Sequence, residues 1–384
     1  MPAKRMSRVV ESGTVKMGNV VSQMRARGEK VLSFNMGEPD FRTPDHIVAA
    51  AKQALDEGFT HYTPSNGIPE LREAIAQHER ECGVDAKAEN VMVTLTKHAI
   101  FMTMLALVND GDEVLLPEPA FVSYEPCIAL AGGKAVPMTM TAENGFQLTP
   151  EMVQEKLTKK TKLLVLNSPS NPTGAVFKRE NLKGIAEVCN DAKLNVFSDE
   201  IYKKLIYDGE HVSIASFDGM AERTVIADGF SKPYAMTGWR VGWLVAPKPM
   251  FAELAKLQQH SLTCVTSFVQ KGALAAIRGS QEPVKGMLAE FRARRDLIVK
   301  LLNDSGHFEC RTPDGAFYVF PKYRREMPSE KFAEHLLTKA KVAVTAGSAF
   351  GKAGEGHIRI SYAASRENIR EGVRHISAAL EKGE

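Results

Sequence analysis

The sequence has few of the residues that build metal sites and disulfide frameworks. Its ten histidines are dispersed, with no His-Glu-x-x-His motif, and its five cysteines are far apart and never form a Cys-x-x-Cys pair. This pattern argues against a zinc site or a disulfide scaffold, so we predict no metal. It favours a reducing compartment, the cytoplasm. The cysteines are Cys82, Cys127, Cys189, Cys264 and Cys310.

Long apolar runs and a strong charge excess are also missing. No apolar stretch approaches the roughly 20 residues of a membrane-spanning helix, and the basic opening, Met1–Val10, is not followed by the apolar core of a signal peptide. The formal net charge is only +3, and the basic residues are scattered. The sequence therefore predicts neither a nucleic-acid partner nor a membrane partner.

What the chain does have is an ordinary globular composition and an alternation of two patterns. Its 384 residues, 44% hydrophobic and 25% charged, can form one large core and a smaller one. Amphipathic helical patterns alternate with short apolar runs, which indicates an α/β fold with a mostly parallel sheet covered on both faces. We predict helices over Ile47–Glu57, Pro69–Glu81, Glu180–Asn190, Met250–Gln259, Val284–Asn303 and Glu367–Glu381. We predict strands over Val91–Thr94, Glu113–Pro117, Leu163–Asn167, Asn195–Ser198, Arg223–Asp228 and Val241–Val245.

The pattern changes after about Gln281, where long charged helices and more widely spaced strands follow. We predict a large domain over residues 46–280 and a smaller α+β domain over residues 281–384. The smaller domain should contain strands over Ala316–Phe320, Val342–Thr345 and His357–Ser361. The opening segment, residues 1–45, has little periodicity, and we expect it to pack with the smaller domain or to reach a partner subunit.

The segment from Gly229 to Arg240 is the most informative part of the chain, because it places Ser231 and Lys232 close to an arginine. A lysine that titrates near neutrality can attack a carbonyl group. The planar guanidinium of arginine suits phosphate oxygens. A lysine for an aldehyde and an arginine for a phosphate are what pyridoxal 5'-phosphate (PLP) requires. By itself, the pair also fits an ordinary loop with a surface lysine.

Three consecutive predicted strands deliver polar residues at their carboxyl ends. The first runs into the turn that contains Asn171, the second into Asp199 and Tyr202, and the third into Lys232. Ligands of open α/β sheets bind beyond the carboxyl ends of the strands. We therefore expect these four side chains to converge on one cleft.

Each candidate has a functional and a structural interpretation. Asp199 could hold a protonated pyridine nitrogen, or it could cap a helix. Asn171 and Tyr202 could donate to a phenolate oxygen, or form a turn and part of the core. Phe121 could stack on a ring or pack in the core. Arg359, inside an apolar strand, could bind a substrate carboxylate or a carboxylate of the protein.

Taken together, the motifs resemble the fold-type-I PLP-dependent aminotransferases of class I/II, and within them the bacterial and archaeal aspartate aminotransferases. The resemblance covers nearly the whole chain. It rests on Gly37-Glu38-Pro39-Asp40-Phe41, Tyr62-Thr63-Pro64, Asp110-Gly111-Asp112-Glu113-Val114, Asn167-x-Pro169-x-Asn171-Pro172-Thr173-Gly174, Ser198-Asp199-Glu200-x-Tyr202, Ser231-Lys232, Thr237-Gly238-Trp239-Arg240 and Arg359-Ile360-Ser361-Tyr362-Ala363.

The resemblance implies a seven-stranded, mostly parallel sheet in the large domain, and it assigns roles to residues. Lys232 would be the Schiff-base lysine, with Arg240 at the phosphate. Tyr62 would reach the phosphate from the neighbouring subunit, so the active unit would be a homodimer with shared sites. Arg359 would bind the substrate α-carboxylate with help from Gly37 and Asn171. The other implied cofactor contacts are Asp199, Tyr202, Phe121 and Ser231.

One turn departs from the family pattern. The phosphate-cradling turn usually has small residues before a Lys-Gln-Ala-like segment, whereas here Leu95-Thr96-Lys97-His98-Ala99 is one residue shorter. We expect Thr96 and Lys97 to offer backbone N–H groups to the phosphate at a helix start.

The resemblance also bears on the substrate. In acidic-substrate members, a lysine of this turn and a Ser-x-Thr near the N-terminus meet the distal carboxylate; here these are Lys97 and Ser12-Gly13-Thr14. This predicts transfer from aspartate or glutamate to 2-oxoglutarate or oxaloacetate. Alternatively, Lys97 is a solvated lysine and the opening segment a disordered arm.

Other functions on the same scaffold remain open at this point. They are an aminotransferase for aromatic or other neutral amino acids, and a carbon–sulfur β-lyase. A PLP-sensing transcriptional regulator would need an attached DNA-binding domain, for which Met1–Asn35 is too short.

Overall fold

A computed structural model describes residues 2–381. Its strands are β1 (Leu32–Ser33), β2 (Val91–Thr94), β3 (Glu113–Glu118), β4 (Lys134–Thr139), β5 (Thr161–Asn167), β6 (Asn195–Asp199), β7 (Thr224–Gly229), β8 (Gly242–Val245), β9 (Phe308–Glu309), β10 (Tyr318–Val319), β11 (Lys322–Tyr323), β12 (Val342–Ala343), β13 (Thr345–Ala346) and β14 (Ile358–Ser361). Its α-helices are α1 (Gly13–Ala26), α2 (Asp45–Asp56), α3 (Pro69–Glu81), α4 (Thr96–Leu107), α5 (Tyr124–Leu130), α6 (Pro150–Lys156), α7 (Arg179–Asp191), α8 (Lys248–Ser261), α9 (Ser267–Arg278), α10 (Glu282–Asp304), α11 (Ser329–His335) and α12 (Arg366–Glu381).

The centre of the fold is a seven-stranded sheet in the order β2-β8-β7-β6-β5-β3-β4. All neighbouring strands are parallel except β8, which is antiparallel to both β2 and β7. Every residue of β2, β7 and β8 is buried. Strands that are covered on both faces have apolar residues at successive positions, as the sequence showed. The predicted α/β class and the mostly parallel seven-stranded sheet are confirmed.

The amphipathic helices lie where their periodicity predicted them. α3 begins at Pro69, where a proline costs no hydrogen bond because the first helical N–H has no partner within the helix. α12 buries Ile369, Val373, Ile376 and Leu380, whose spacing forms one apolar stripe. Helix ends differ from the predicted ones by only one or two residues in these cases.

The opening segment forms a helix, α1, over residues 13–26, although its sequence has little periodicity. Only Val21 of this helix is buried, so it has no apolar stripe that a periodicity search could detect. Val21 packs with Val31, Leu337 and Ala343, and β1 pairs in parallel with β12. The opening segment thus contacts the C-terminal part of the chain, while the predicted domain boundaries at 45 and 280 stay predictions.

The C-terminal strands are shorter than predicted. Only Tyr318–Val319 of the run 316–320 forms a strand, and a break at Val344 separates β12 from β13. β14 lies between β10 and β13 and is antiparallel to both. This arrangement pairs Arg359 with Thr345 and Ser361 with Tyr318. Within residues 2–381, no helix has both the length and the apolar character needed to cross a bilayer.

Candidate active site

A cavity of about 590 Å³ lies at the carboxyl ends of β5, β6 and β7, and α1 forms part of its wall. Its lining includes all but two of the residues that the sequence singled out. The predicted residues on its wall are Thr14, Gly37, Thr96, Lys97, Phe121, Asn171, Asp199, Tyr202, Ser231, Lys232, Arg240 and Arg359. The two exceptions are Ser12 and Tyr62.

Lys232 follows β7 by three residues and has no carboxylate partner among the described residues. Its Nζ donates a hydrogen bond to the carbonyl oxygen of Gly37 at 2.5 Å. Burial, reinforced by the positive charge of Arg359, lowers the pKa of Lys232 to about 8. About a tenth of this amine is therefore neutral and nucleophilic at pH 7, far more than for an ordinary lysine.

Asp199 ends β6 and is fully enclosed. Burial raises the pKa of its carboxyl group to about 6, and a hydrogen bond from Tyr124 opposes this rise. The Tyr124 hydroxyl donates to Oδ2 at 2.8 Å, and the backbone N–H of Ile201 donates to Oδ1 at 3.3 Å. A turn, not a helix, follows Asp199, so the helix-cap interpretation is wrong. Within residues 2–381, this carboxylate makes no ion pair.

Asn171 and Tyr202 are also buried on the cavity wall. The backbone N–H of Asn171 donates to Asn167 Oδ1 at 2.8 Å, which fixes the turn after β5. The Tyr202 hydroxyl lies 2.7 Å from the hydroxyl of Tyr318. Burial, followed by the effect of Tyr318, holds the pKa of Tyr202 well above its usual value, so Tyr202 remains a hydrogen-bond donor.

Arg359 is only 2% exposed, yet it faces no carboxylate of the described residues. Nη1 donates to Asn171 Oδ1 at 3.0 Å and Nη2 to the carbonyl oxygen of Asn35 at 2.6 Å. Its buried Nε and the nearby Nδ2 of Asn35 have no hydrogen-bond partner. Such groups are costly unless a ligand satisfies them. The expected alternative, a carboxylate of the protein, is therefore absent from the described part of the chain.

The turn after β2 brings a helix start to the cavity. Thr96 and Lys97 are the first two residues of α4, where backbone N–H groups lack partners within the helix. The Thr96 hydroxyl donates to the carbonyl oxygen of Asp228 at 2.9 Å. A Cβ atom at Gly229 or Gly242 would lie 2.6 Å from that hydroxyl oxygen, so the two glycines make room for it.

Lys97 and Thr14 lie on the wall of this cavity, together with Arg240. Lys97 Nζ lies 5.3 Å from the centroid of the Phe121 ring and pairs with no carboxylate of residues 2–381. Partial burial of the ammonium group lowers the pKa of Lys97. Ser12 does not line the cavity; its hydroxyl lies 2.9 Å from that of Thr14. Ser12 therefore contacts Thr14, which lines the cavity, but Ser12 itself does not line it.

Tyr62 lies outside the cavity and is 88% exposed. The Tyr62 side chain therefore buries little of its ring against the described residues. The contribution of Tyr62 to the site of a neighbouring subunit stays a prediction.

The sequence analysis gave no role to several polar residues at the site, and four of these form hydrogen bonds with the residues that it did single out. Tyr124 holds Asp199, Tyr318 contacts Tyr202, and Asn35 and Thr345 contact Arg359. Only Tyr124 follows a predicted parallel strand, and it lies seven residues beyond Glu113–Pro117, whereas the polar residues that were singled out lie within four residues of their strands. Tyr124 lies three residues after Phe121, a helical spacing that could have suggested it; Tyr318 has no comparable local signal.

The unpaired charges that line the cavity indicate what kind of ligand could bind there. A buried carboxylate without a cation calls for a protonated nitrogen, and an unpaired buried guanidinium calls for a carboxylate. A helix start beside an arginine suits a phosphate. A lysine with a lowered pKa suits an aldehyde. A phosphorylated pyridine aldehyde together with an amino acid satisfies all four requirements.

Comparison with known proteins identifies aminotransferases that are similar to this chain. The chain is 45% identical over 357 residues to an aspartate aminotransferase of Pyrococcus abyssi, covering 91% of this chain and 92% of that protein. It is 43% identical over 361 residues to aromatic-amino-acid aminotransferase 2 of Thermococcus litoralis, covering 92% of each. The solved structure of aspartate aminotransferase from Thermus thermophilus with maleate superimposes with a TM-score of 0.95, at 37% identity, covering 99% of this chain and 100% of that one.

The sequence model described as "Aminotransferase class I and II" matches residues 29–376, which is nearly the whole chain. Proteins of this family use pyridoxal 5'-phosphate, the group that the donors of the cavity fit. The protein is a member of the class I and II aminotransferase family.

Proposed function

We propose that this aminotransferase takes the amino group from an acidic L-amino acid, aspartate or glutamate, and gives it to 2-oxoglutarate or oxaloacetate. The observation that carries the proposal is a pair of cations on one cavity wall, Arg359 and Lys97, neither of which pairs with a carboxylate of the described residues. A dicarboxylic substrate offers one carboxylate to each. Charge-assisted hydrogen bonds of this kind are among the strongest in proteins.

Residues around Lys232 would hold the cofactor and move the proton. Bound PLP supplies an electron sink for the bond that breaks at the substrate Cα. Lys232, with its lowered pKa, would attach the cofactor and then serve as the general acid and base at that carbon. Asp199 would pair with the ring nitrogen, and Asn171 and Tyr202 would donate to the phenolate oxygen. Phe121 would stack on the ring.

We propose that the phosphate group of PLP binds at the first turn of α4. The backbone N–H groups of Thr96 and Lys97 and the side chains of Ser231 and Arg240 would bind its oxygens. Because the turn is one residue shorter than the family pattern, the open first turn of α4 would supply donors in place of a glycine loop.

At the substrate end, Arg359 would bind the α-carboxylate through its unpartnered Nε and the Nη groups, with Gly37 and Asn171 beside it. Lys97 would bind the distal carboxylate, with the hydroxyl of Thr14 completing its hydrogen bonds. Ser12 would not contact the substrate; it would orient the Thr14 hydroxyl through the hydrogen bond between the two side chains.

The proposal is tested by substrate preference in the Lys97→Ala variant. The PLP form is mixed with aspartate, glutamate, alanine or phenylalanine, and the loss of visible absorbance is followed. We expect the rate with aspartate and glutamate to fall about 10- to 100-fold, equivalent to about 1.5–3 kcal/mol for a lost charged hydrogen bond. The rates with alanine and phenylalanine should change by less than about threefold.

Two further variants make this result specific. Lys97→Arg keeps the charge and should recover part of the aspartate rate. Lys16→Ala removes an exposed lysine of α1 that does not line the cavity, and it should have no effect. A uniform loss with all four amino acids would assign Lys97 to the phosphate and contradict its role in substrate choice.

A second candidate is an aminotransferase for aromatic amino acids. The α1 wall of the cavity has small or apolar residues, Val15 and Gly18, beside Thr14, and the Thermococcus litoralis relative carries that name. A wild-type enzyme that reacts faster with phenylalanine or tyrosine than with aspartate would favour this candidate. Release of pyruvate and ammonia, with no new amino acid, would instead indicate a carbon–sulfur β-lyase.

We also propose a homodimer in which Tyr62 completes the site of the other subunit, which its exposure allows. Mixing Lys232→Ala and Tyr62→Ala subunits tests this. If Tyr62 acts across the interface, the mixed dimer contains one intact site and regains up to about half of the wild-type activity per dimer. If Tyr62 acts within its own subunit, mixing restores nothing.

The proposed compartment is the cytoplasm, because all five cysteines are free and free thiols persist under reducing conditions. Cell fractionation with an antibody against the chain would test it, and recovery outside the cytoplasmic fraction would contradict it.

A further inference from the structure

The segment of residues 231–240 carries the two cations that the proposed function assigns to opposite ends of PLP. Lys232 would take the aldehyde and Arg240 the phosphate. Apart from the short 3₁₀-helix Thr237–Trp239, this segment consists of turns and irregular chain. Ala235 and Arg240 have φ angles of 51° and 57°, a left-handed backbone that residues with a Cβ atom seldom adopt unless neighbours hold it. The spacing of the two cations therefore depends on contacts from outside the segment.

One hydroxyl group from outside, that of Thr43, joins the two halves of the segment. It donates a hydrogen bond to the carbonyl oxygen of Ala235 at 2.7 Å and accepts one from the indole N–H of Trp239 at 3.1 Å. Ala235 lies three residues after Lys232, and Trp239 directly precedes Arg240. Because a hydroxyl group can donate and accept at the same time, Thr43 holds both partners at once.

The positions of Thr43 and Trp239 are set by helix packing. Thr43 lies two residues before the start of α2 at Asp45. The Trp239 ring lies against α9, since a Cβ atom at Gly272 would be 2.7 Å from the ring atom Cζ3. The same Cβ atom would lie 3.4 Å from the Cβ of Ala51, so α2 and α9 are in close contact. The Thr43 hydroxyl therefore reaches the segment from a fixed frame.

Two other hydrogen bonds link the segment to the residues that precede Thr43. Lys232 Nζ donates to the carbonyl oxygen of Gly37, and the Thr237 hydroxyl donates to the Glu38 carboxylate at 3.0 Å. The first uses the atom that would bond to the cofactor, and the second is exposed to water. Thr43 does not line the cavity, so its two hydrogen bonds do not compete with a bound cofactor.

We propose that Thr43 is a positioning residue that sets the spacing between Lys232 and Arg240, so that the aldehyde and the phosphate of PLP can bind at the same time. The inference rests on the proposed roles of Lys232 and Arg240. It adds to them a residue outside the cavity.

The expected effect follows from the cost of ordering a flexible segment. Without the hydroxyl group, residues 231–240 would be freer in the apoprotein, and PLP would have to fix both ends of the segment when it binds. Affinity falls when binding must order the site. A ligand that has only the aldehyde or only the phosphate needs one cation in place and should lose much less. The loss should therefore be selective for the ligand that has both groups.

The test is Thr43→Val, which replaces the hydroxyl by a methyl group of similar size. The apoprotein is titrated with PLP and with pyridoxal by visible absorbance, and with inorganic phosphate by calorimetry. We expect the affinity for PLP to fall about 10-fold, as the loss of one or two hydrogen bonds predicts. The affinities for pyridoxal and for phosphate should each change by less than about threefold. Thr43→Ser keeps the hydroxyl and should keep the affinity for PLP within about threefold of the wild type.

The matched control is Thr224→Val at the start of β7. The Thr224 hydroxyl is buried and has no hydrogen-bond partner among residues 2–381, so this variant should leave all three affinities unchanged. Trp239→Phe removes the indole N–H that Thr43 accepts, and it should also lower the affinity for PLP. The double variant with Thr43→Val should lose less than the sum of the two single losses, because both remove the same hydrogen bond.

Several results would overturn the positioning role. They are an unchanged PLP affinity in Thr43→Val, a loss for pyridoxal or phosphate as large as that for PLP, no recovery in Thr43→Ser, or an equal loss in Thr224→Val. If Thr43→Val failed to fold, an undiminished PLP affinity in Trp239→Phe would also overturn it.

These outcomes are distinct from a failure of the proposed function. A protein that loads PLP and transaminates, and whose Thr43→Val variant binds PLP as the wild type does, contradicts only the role of Thr43. A wild-type protein that develops no visible absorbance with PLP contradicts the function and the positioning role together.

Discussion

Two lysines near the carboxyl edge of the sheet have opposite surroundings. Lys203 follows β6 and lies 2.7 Å from a Glu79 oxygen and 2.9 Å from an Asp228 oxygen. Burial alone would lower its pKa, but the two carboxylates outweigh burial and hold the pKa well above its usual value. Lys232, after the neighbouring strand, has only a carbonyl partner, and burial lowers its pKa to about 8.

The decisive difference between the two lysines is one of pairing, because removal from water acts to lower the pKa of each, although Lys203 is buried and Lys232 only partly buried. Lys203 retains its proton and closes a buried polar cluster, in which the indole N–H of Trp243 also donates to Glu79 at 2.7 Å. Lys232 makes no ion pair with a described residue. Burial, followed by the positive charge of Arg359, lowers its pKa, Glu38 and Asp199 oppose this effect, and the amine can lose its proton near neutrality. The first environment suits a structural ion, and the second suits a nucleophile.

Replacing Lys232 by Ala should have the largest effect on activity. Both the attachment of the cofactor and the proton transfer at Cα are lost, so we expect turnover to fall by about 10⁴-fold or more. Stability should be nearly unchanged, since an unpaired cation is removed. Steady-state kinetics and thermal unfolding measure the two effects. Wild-type turnover in this variant, without an added amine, would contradict the assignment.

Replacing Lys203 by Met should have the converse effect. Glu79 and Asp228 would be left as unpaired buried carboxylates, and breaking a buried ion pair from one side costs about 3–5 kcal/mol of unfolding free energy. The matched control is Lys204→Met, whose ammonium only lies over the Tyr234 ring at 5.7 Å and should cost less than about 1 kcal/mol. Urea unfolding of both variants measures this. Equal stability of the two would show that the Lys203 cluster does not stabilise the fold.

Replacing Arg359 by Leu should weaken substrate binding more than cofactor binding. The loss of a charged contact to the α-carboxylate corresponds to about 10- to 100-fold in the half-reaction. PLP affinity, measured by absorbance titration, should change by less than about threefold. Arg366→Leu, which removes an exposed arginine bonded to Glu290, is the control. An unaltered half-reaction with alanine and aspartate in Arg359→Leu would mean that Arg359 is structural.

The smallest expected effect is a pH dependence. Because only the neutral amine of Lys232 attacks an aldehyde, the rate of PLP attachment to the apoprotein should rise about tenfold per pH unit and level off near pH 8. An ordinary lysine, with a pKa of 10.5, would level off more than two units higher. Stopped-flow absorbance gives the profile. A rise that continued to pH 10 would show that Lys232 is not in the unpaired environment described above.

The prediction from sequence was successful where the signal is local. The buried strands of the sheet consist of apolar runs, and the polar residues at or just after the carboxyl ends of three of them, Asn171, Asp199 and Lys232, could be identified directly. The helix α1 was not predicted, because only its Val21 is buried and its sequence therefore has no apolar stripe. Tyr318 escaped because its partners lie 116 residues before it and 41 residues after it, at Tyr202 and Arg359.

The sequence by itself determined the alternation of helices and strands, the parallel sheet and the family to which the chain is similar, because each follows from short-range periodicity and ordered motifs. Only the tertiary structure decided which charges are paired. Lys203 and Lys232 follow adjacent strands in similar local sequence, but α3 brings Glu79 into an ion pair with the first, and no described residue forms an ion pair with the second. Long-range packing sets the electrostatic environment of a buried charge, and that environment separates a structural lysine from a reactive one.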